Sequence, residues 1–356
     1  MWKIQGGSKM KTDDFDFELP QQLIAQTPLI DRPSSRLMVL DKTKQTYTDK
    51  HFYQIVDYLK ADDIIVRNNT RVIPARLFGI KRACDNNTKE DGHCEVLLLK
   101  NEGDDIWQTL VGNAKIIKEG TIVTFKEGLL QAKCVKVLDQ GIRYFKMLYS
   151  GIFMEILNEL GNVPLPPYIK EKLADPERYQ TVYAKVEGSA AAPTAGLHFN
   201  QEIIDKIKEK GCQFVDVTLH IGLGTFRPVN VDDVEKHQMH SEFYQMSQQA
   251  ADILNAAKNN GQRIICVGTT SVRTLESVYQ KYGCFKQCSG STNIFIYPGY
   301  KFLATDAIIT KFHLPKSTLI MMISAFAGKD FLFEAYKHAV EEQYRFFSFG
   351  DSMFIY

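Results

Sequence analysis

Between about Ala75 and Ser150 the hydrophobic pattern changes period, and this change constrains the fold more than any other feature of the chain. Five short runs, Glu95–Leu99, Trp107–Val111, Thr121–Phe125, Gln131–Leu138 and Arg143–Leu148, are separated by Gly, Asn and Asp clusters. Alternating apolar and polar residues give a strand one buried and one solvated face. Five or more such strands at this spacing predict a small all-β unit of barrel-like form.

The flanking regions have a different texture. Strand-like runs at Arg36–Leu40, Asp63–Arg67, Phe214–Leu219 and Arg263–Val267 alternate with helical spacing at Phe52–Leu59, Gln201–Lys210, Ala250–Asn259 and Val272–Lys281. Such alternation is the signature of an α/β fold. The expected architecture is therefore mixed α/β, a large mixed-sheet domain carrying an inserted small barrel-like β domain. Residues 1–9 are expected to be an added leader, 10–74 and 151–356 the α/β domain, and 75–150 the insertion. A helix over Ile152–Leu160 ends at Gly161, and three prolines within Val163–Tyr168 impose an extended path.

With 43 Lys and Arg against 42 Asp and Glu, the net charge of +1 supplies no global attraction to a polyanion. Any nucleic acid must be held by a local basic patch. Lys170, Lys172, Arg178 and Lys185 offer one, although Glu171, Asp175 and Glu177 interleave with them. The seven cysteines include no CxxC pair, and the HxxH of His237 and His240 lacks the spacing of a zinc helix. No metal set is expected. Reduced thiols, no secretory signal and no apolar run near the roughly 20 residues of a membrane span point to the cytoplasm.

Three loop-forming segments carry the chemistry: Gly188–Phe199, Thr218–Pro228 and Lys311–Thr318. Each sets one histidine, His198, His220 or His313, beside small, hydroxyl-bearing or Gly/Pro residues. Such residues let a backbone turn sharply and let a ligand approach its amides. Three segments of one chemistry suggest one site assembled from distant pieces. In the second, Gly222 and Gly224 precede Thr225 and Arg227, which supply a hydroxyl and a fork of donors; a plain turn explains the glycines equally well. Thr269, Thr270 and Ser271 stand between a strand and a helix, where they either cap the helix or face an anion. The aromatic tail Tyr344–Met353 fits a core or a purine-stacking surface.

Several longer motifs carry a resemblance. They are Asn68-Asn-Thr-Arg-Val-Ile-Pro-Ala-Arg-Leu77, Pro164-Leu-Pro-Pro-Tyr-Ile169, Tyr179-Gln-Thr-Val-Tyr183, Ala191-Ala-Pro-Thr-Ala-Gly-Leu-His-Phe199, His220-Ile-Gly-Leu-Gly-Thr-Phe226, Val267-Gly-Thr-Thr-Ser-Val-Arg273, Phe312-His-Leu-Pro-Lys-Ser-Thr-Leu319 and Tyr344-Arg-Phe-Phe-Ser-Phe-Gly-Asp351. Together, from about Asp14 to Ile355, they resemble the S-adenosylmethionine:tRNA ribosyltransferase-isomerases of queuosine synthesis. The departures, such as Ile221 and Leu223 in the glycine loop, are conservative.

The resemblance implies a mixed α/β domain with a small β-barrel. It also implies transfer and isomerisation of the ribosyl part of S-adenosylmethionine onto 7-aminomethyl-7-deazaguanine at the tRNA wobble position. Epoxyqueuosine-tRNA, adenine and methionine would be the products. S-adenosylmethionine is then a co-substrate and no permanently bound cofactor is expected; modified tRNA is the partner, no membrane is involved, and the chain is expected to be a monomer. His198, His220 and His313 are the acid–base candidates, with Asp351 as a carboxylate alternative. Arg71, Arg76, Arg227 or Arg273 would hold the methionine carboxylate or a tRNA phosphate. Gly222, Gly224, Thr225, Thr269 and Thr270 would line the nucleotide pocket, with Asn69, Thr194, Lys316 and Ser317 as further substrate-binding positions. Two other readings are a methyltransferase using the same co-substrate and a tRNA-binding protein without chemistry. A methyltransferase would carry a glycine-rich first βα turn, which the N-terminal strand region lacks.

Overall fold

The computed structural model describes residues 10–81, 92–171, 173–222, 229 and 231–356. A hairpin of β1 (Arg36–Asp41) and β2 (Thr46–His51) leads through the short helix α1 (Ile55–Tyr58) into β3 (Ile64–Asn68) and β4 (Thr70–Val72). Six strands follow: β5 (Arg76–Lys81), β6 (Gly92–Gly103), β7 (Ile106–Val111), β8 (Ile122–Phe125), β9 (Leu130–Val137) and β10 (Ile142–Leu148). They close in the order β10-β7-β6-β5-β8-β9, with every pairing antiparallel. Alternate residues of β7 and β10 are buried. Val96, Val123, Phe125, Ala132 and Phe145 fill the inside. Closure removes the unpaired edges that an open sheet of this size would expose.

After α2 (Phe153–Leu160), the strand β11 (Val186–Ser189) pairs with β4. The chain then runs α3 (Gln201–Glu209), β12 (Gln213–Leu219), β13 (Glu242–Met246), α4 (Gln248–Asn259), β14 (Ile264–Val267), α5 (Gly268–Tyr282) and β15 (Cys288–Thr292). It ends with β16 (Ala307–Lys311), α6 (Thr318–Ala327), α7 (Lys329–Glu341) and β17 (Ser352–Ile355). Nine strands form the central sheet in the order β15-β13-β12-β3-β14-β16-β17-β1-β2.

Helices cover both faces of this sheet. Ile64 and Val66 of β3 point to the face packed by Ala251 and Leu254 of α4 and by Val272 and Leu275 of α5. Ile65, between them, points to the face packed by Ile203, Ile204 and Ile207 of α3. Residues of a strand alternate between faces, so a strand buried on both sides must be apolar throughout. That is why β14 is the run Ile-Ile-Cys-Val.

Two local readings of the sequence change. Helix α5 begins at Gly268, four residues before the Val272 suggested by periodicity, so Thr269, Thr270 and Ser271 form its first turn. Strand β14 passes straight into this helix through Gly268 at φ +80°, a conformation that glycine adopts without Cβ strain. The aromatic tail is core: Tyr344, Phe346 and Phe347 are buried in the main cluster, and burial accounts for them without a stacked purine. Among the described residues no helix is long and apolar enough to cross a membrane.

Candidate active site at the carboxyl edge of the central sheet

Strands β12, β3, β14 and β16 are adjacent and mutually parallel. Their carboxyl ends therefore lie along one edge, the place where α/β sheets bind ligands. Asn69 follows β3, His220 and Gly222 follow β12, Gly268–Thr270 follow β14, and Lys311 and His313 end and follow β16. Antiparallel β17 brings Ser352 beside Lys311, and with it Ser348 and Asp351. The segment ending at His198 closes over the same edge. Ala191 bridges to Ile221, and Ser189 Oγ accepts from the Ile221 amide at 2.9 Å.

The three histidines face separate spaces. His220 lines a cavity of ≈ 960 Å³ shared between the sheet edge and the barrel, with Gly222, Glu242 and Phe243 on one side and Trp107 and Tyr144 on the other. Its Nδ1 is 2.8 Å from Thr70 Oγ1 and its ring stacks on Phe243 at 5.7 Å. The ring also lies against Gly188, where an added Cβ would come within 2.8 Å of Nε2. His198 is enclosed beside Arg32, Ser35 and Ser348, with Nδ1 2.8 Å from Ser35 Oγ. His313 lines a third, small cavity with Thr194, Thr269, Thr270 and Lys311, and its Nε2 is 2.9 Å from Thr310 Oγ1.

Burial disfavours the charged imidazole at all three positions. His198 is pushed down to about 3 by burial, with the positive charges of Lys311, Arg32 and Arg345 adding to the effect. His313 is held well below its ordinary range by burial and by Lys311. Burial alone lowers His220. All three rings are thus neutral near pH 7 and weaker bases than a solvated imidazole, least so at His220, where burial alone acts.

Many residues singled out for substrate are engaged within the protein. Both carboxylate oxygens of Asp351 accept backbone amides, from Arg36 and Arg345, each at 2.8 Å. These bonds brace the junction of β1 and β17. Arg71 pairs with Glu177, Arg76 with Glu95 at 3.0 Å, and Arg273 with Glu242 in a fully buried pair. Lys316 lies 2.9 Å from both Asp13 and Asp16. Ser317 is the N-cap of α6, its Oγ accepting from the Ile320 amide at 3.2 Å. Asn69 Oδ1 accepts from Thr218 Oγ1 at 2.7 Å, tying β3 to β12. Gly224, Thr225, Arg227 and Lys172 lie outside the described residues. Of the remaining basic stretch, Arg178 is turned inward onto the Leu29 and Ile30 carbonyls.

Lys311 is the group that the residue pattern did not single out. Burial pushes it down to about 7, and among the described residues no carboxylate pairs with it. Its Nζ is 3.4 Å from Ser348 Oγ. It stood in the segment marked as chemical, but burial without a counter-charge is a tertiary property. Among the described residues no group of three His, Cys, Asp or Glu side chains is placed to hold a metal.

The family model described as queuosine biosynthesis protein matches residues 12–355. Among solved structures, S-adenosylmethionine tRNA ribosyltransferase from Thermotoga maritima is 37% identical, with 96% of this chain and 100% of that chain covered and a TM-score of 0.55. The family model runs through the barrel and the sheet edge alike. The chain belongs to the queuosine biosynthesis protein family.

Proposed function

We propose that this enzyme transfers and isomerises the ribosyl moiety of S-adenosylmethionine onto 7-aminomethyl-7-deazaguanine in tRNA, yielding epoxyqueuosine-tRNA, adenine and methionine. The observation that carries the reading is the 37% identity, over nearly the whole chain, to a ribosyltransferase that uses S-adenosylmethionine and tRNA. The cavity of ≈ 960 Å³ supports it, since it offers room for a nucleoside beside a modified base.

The sulfonium acidifies the protons of the adjacent C5′, and a positioned neutral base removes one. His220 is our candidate for that base. With the Thr70 hydroxyl hydrogen directed to the Val186 carbonyl at 3.4 Å, Thr70 Oγ1 accepts from Nδ1–H. The Nε2 lone pair is then the basic site of a ring that lines the cavity. Rearrangement expels adenine, the aminomethyl group of the modified base supplies the nucleophile, and methionine leaves as the epoxide closes. Substrate groups perform the bond-making, so the scheme needs no covalent enzyme intermediate and no permanently bound cofactor.

In this reading residues 75–150 act as an inserted domain whose aromatic side chains Trp107 and Tyr144 face the tRNA end of the cleft. Residues 10–74 and 151–356 form the catalytic domain, and the protein works as a cytoplasmic monomer. A reaction containing S-adenosylmethionine and tRNA with the aminomethyl-deazaguanine base tests it. Adenine and methionine should appear together, and only with that tRNA. S-adenosylhomocysteine in their place would indicate a methyltransferase, and tRNA retention without product a binding protein.

A further inference from the structure

The small cavity at the amino end of α5 has a composition unlike the large cleft. It measures ≈ 40 Å³ and is bounded by Thr194, Gly268, Thr270, Lys311 and His313, with no acidic residue in its lining. A few tens of cubic ångströms hold a few waters or one small oxyanion, but no nucleoside.

Two of the side-chain polar atoms at this cavity have no partner of their own among the described residues. Helix α5, fifteen residues long, has no side chain capping its first turn, so the amides and dipole of its amino end favour negative charge. Thr270 is 8% exposed and His313 3% exposed. Thr270 Oγ1 and His313 Nδ1 have no hydrogen-bond partner among the described residues. In the tautomer where Thr310 donates to Nε2, the neutral His313 ring carries its proton on Nδ1 and is a second donor. Half-buried Lys311 adds an amine that no carboxylate pairs with among the described residues. Burying an ammonium is costly unless a counter-charge compensates it.

We propose that this cavity is an oxyanion-binding site, in which Lys311, Thr270, His313 and the first turn of α5 hold a carboxylate or phosphate oxygen group of a substrate. The assignment of its occupant rests on the ribosyl-transfer reading above, which supplies two sources: the methionyl carboxylate of S-adenosylmethionine and a phosphate of the tRNA. This reassigns the anchoring task from the arginines marked in the sequence, three of which already pair with glutamates.

The test is equilibrium binding, which needs no turnover and so stands apart from the fate of the ribosyl-transfer reading. Wild type, Lys311→Met and Thr270→Val are compared for S-adenosylmethionine, for its decarboxylated analogue, and for tRNA across a salt series, with circular dichroism verifying folding. Thr270→Val is near-isosteric and serves if Lys311→Met does not fold. If the carboxylate is the occupant, wild type prefers S-adenosylmethionine to the analogue by about 10- to 100-fold, the scale of hydrogen bonds to a charged group, and Lys311→Met erases that preference. If a phosphate is the occupant, the preference is absent or unchanged, while the salt slope of tRNA binding falls by about one in Lys311→Met. Folded variants that match wild type in both measurements would overturn the proposal.

Discussion

His198 and His220 are both neutral and both tethered to a hydroxyl, yet they answer to different tests. His198 is surrounded by Ser35, Phe52 and the cations Lys311, Arg32 and Arg345, so protonating it in the folded state is unfavourable. Its folded value, about 3, lies below the ordinary 6.5, so the unfolded chain takes up the proton first. The stability it contributes is present above pH 6.5 and is lost as pH falls from there towards 3. His198→Gln should flatten the acid limb of a stability–pH curve in that window; an unchanged limb would refute the assignment. His220 lines the large cavity and carries the proposed chemistry. His220→Gln should lower turnover by about 10²- to 10⁴-fold, the usual worth of a positioned base. Its melting temperature and S-adenosylmethionine affinity should move little. A wild-type rate would remove His220 from the mechanism.

At the scale of elements, the histidine-bearing segments were legible because their residue types are unusual, and the sheet explains why they converge. Parallel strands β12, β3, β14 and β16 set their carboxyl ends in one row, bringing Ile221, Thr194, Thr270 and Lys311 around one cavity although more than a hundred residues separate the outermost. The three histidines nevertheless divide among three spaces, because each follows or covers a different strand. Strand β14 was legible because burial on both faces demands four apolar residues. The terminal β17 was not, since its place between β16 and β1 is set by partners remote in sequence. Ser317, marked in the sequence for substrate binding, has its hydroxyl engaged as the N-cap of α6. Ser317→Ala should cost about 1 kcal/mol in denaturant unfolding, as N-cap losses do. It should leave S-adenosylmethionine affinity unchanged, whereas a weakened affinity would support the substrate role.

Across the whole molecule, function follows from a barrel set against the carboxyl edge of a nine-stranded sheet. The barrel was visible in the alternation of five runs; its sixth strand, β5, follows directly on the motif Asn68–Pro74, which masked its own period. The cleft between barrel and edge had no local signature, because Trp107 and Tyr144 reach it from one unit and His220 and Gly222 from the other. With a net charge of +1, the proposed tRNA recognition would fall to local contacts rather than to the field of the whole protein.

The most direct test of ribosyl transfer uses S-adenosylmethionine bearing one radiolabel in the ribose and another in the methyl group, incubated with tRNA carrying the aminomethyl-deazaguanine base. The ribose label should enter the tRNA in step with adenine release while the methyl label leaves with methionine, and His220→Gln should suppress both. Methyl label in the tRNA without ribose label would contradict ribosyl transfer as the activity of this chain.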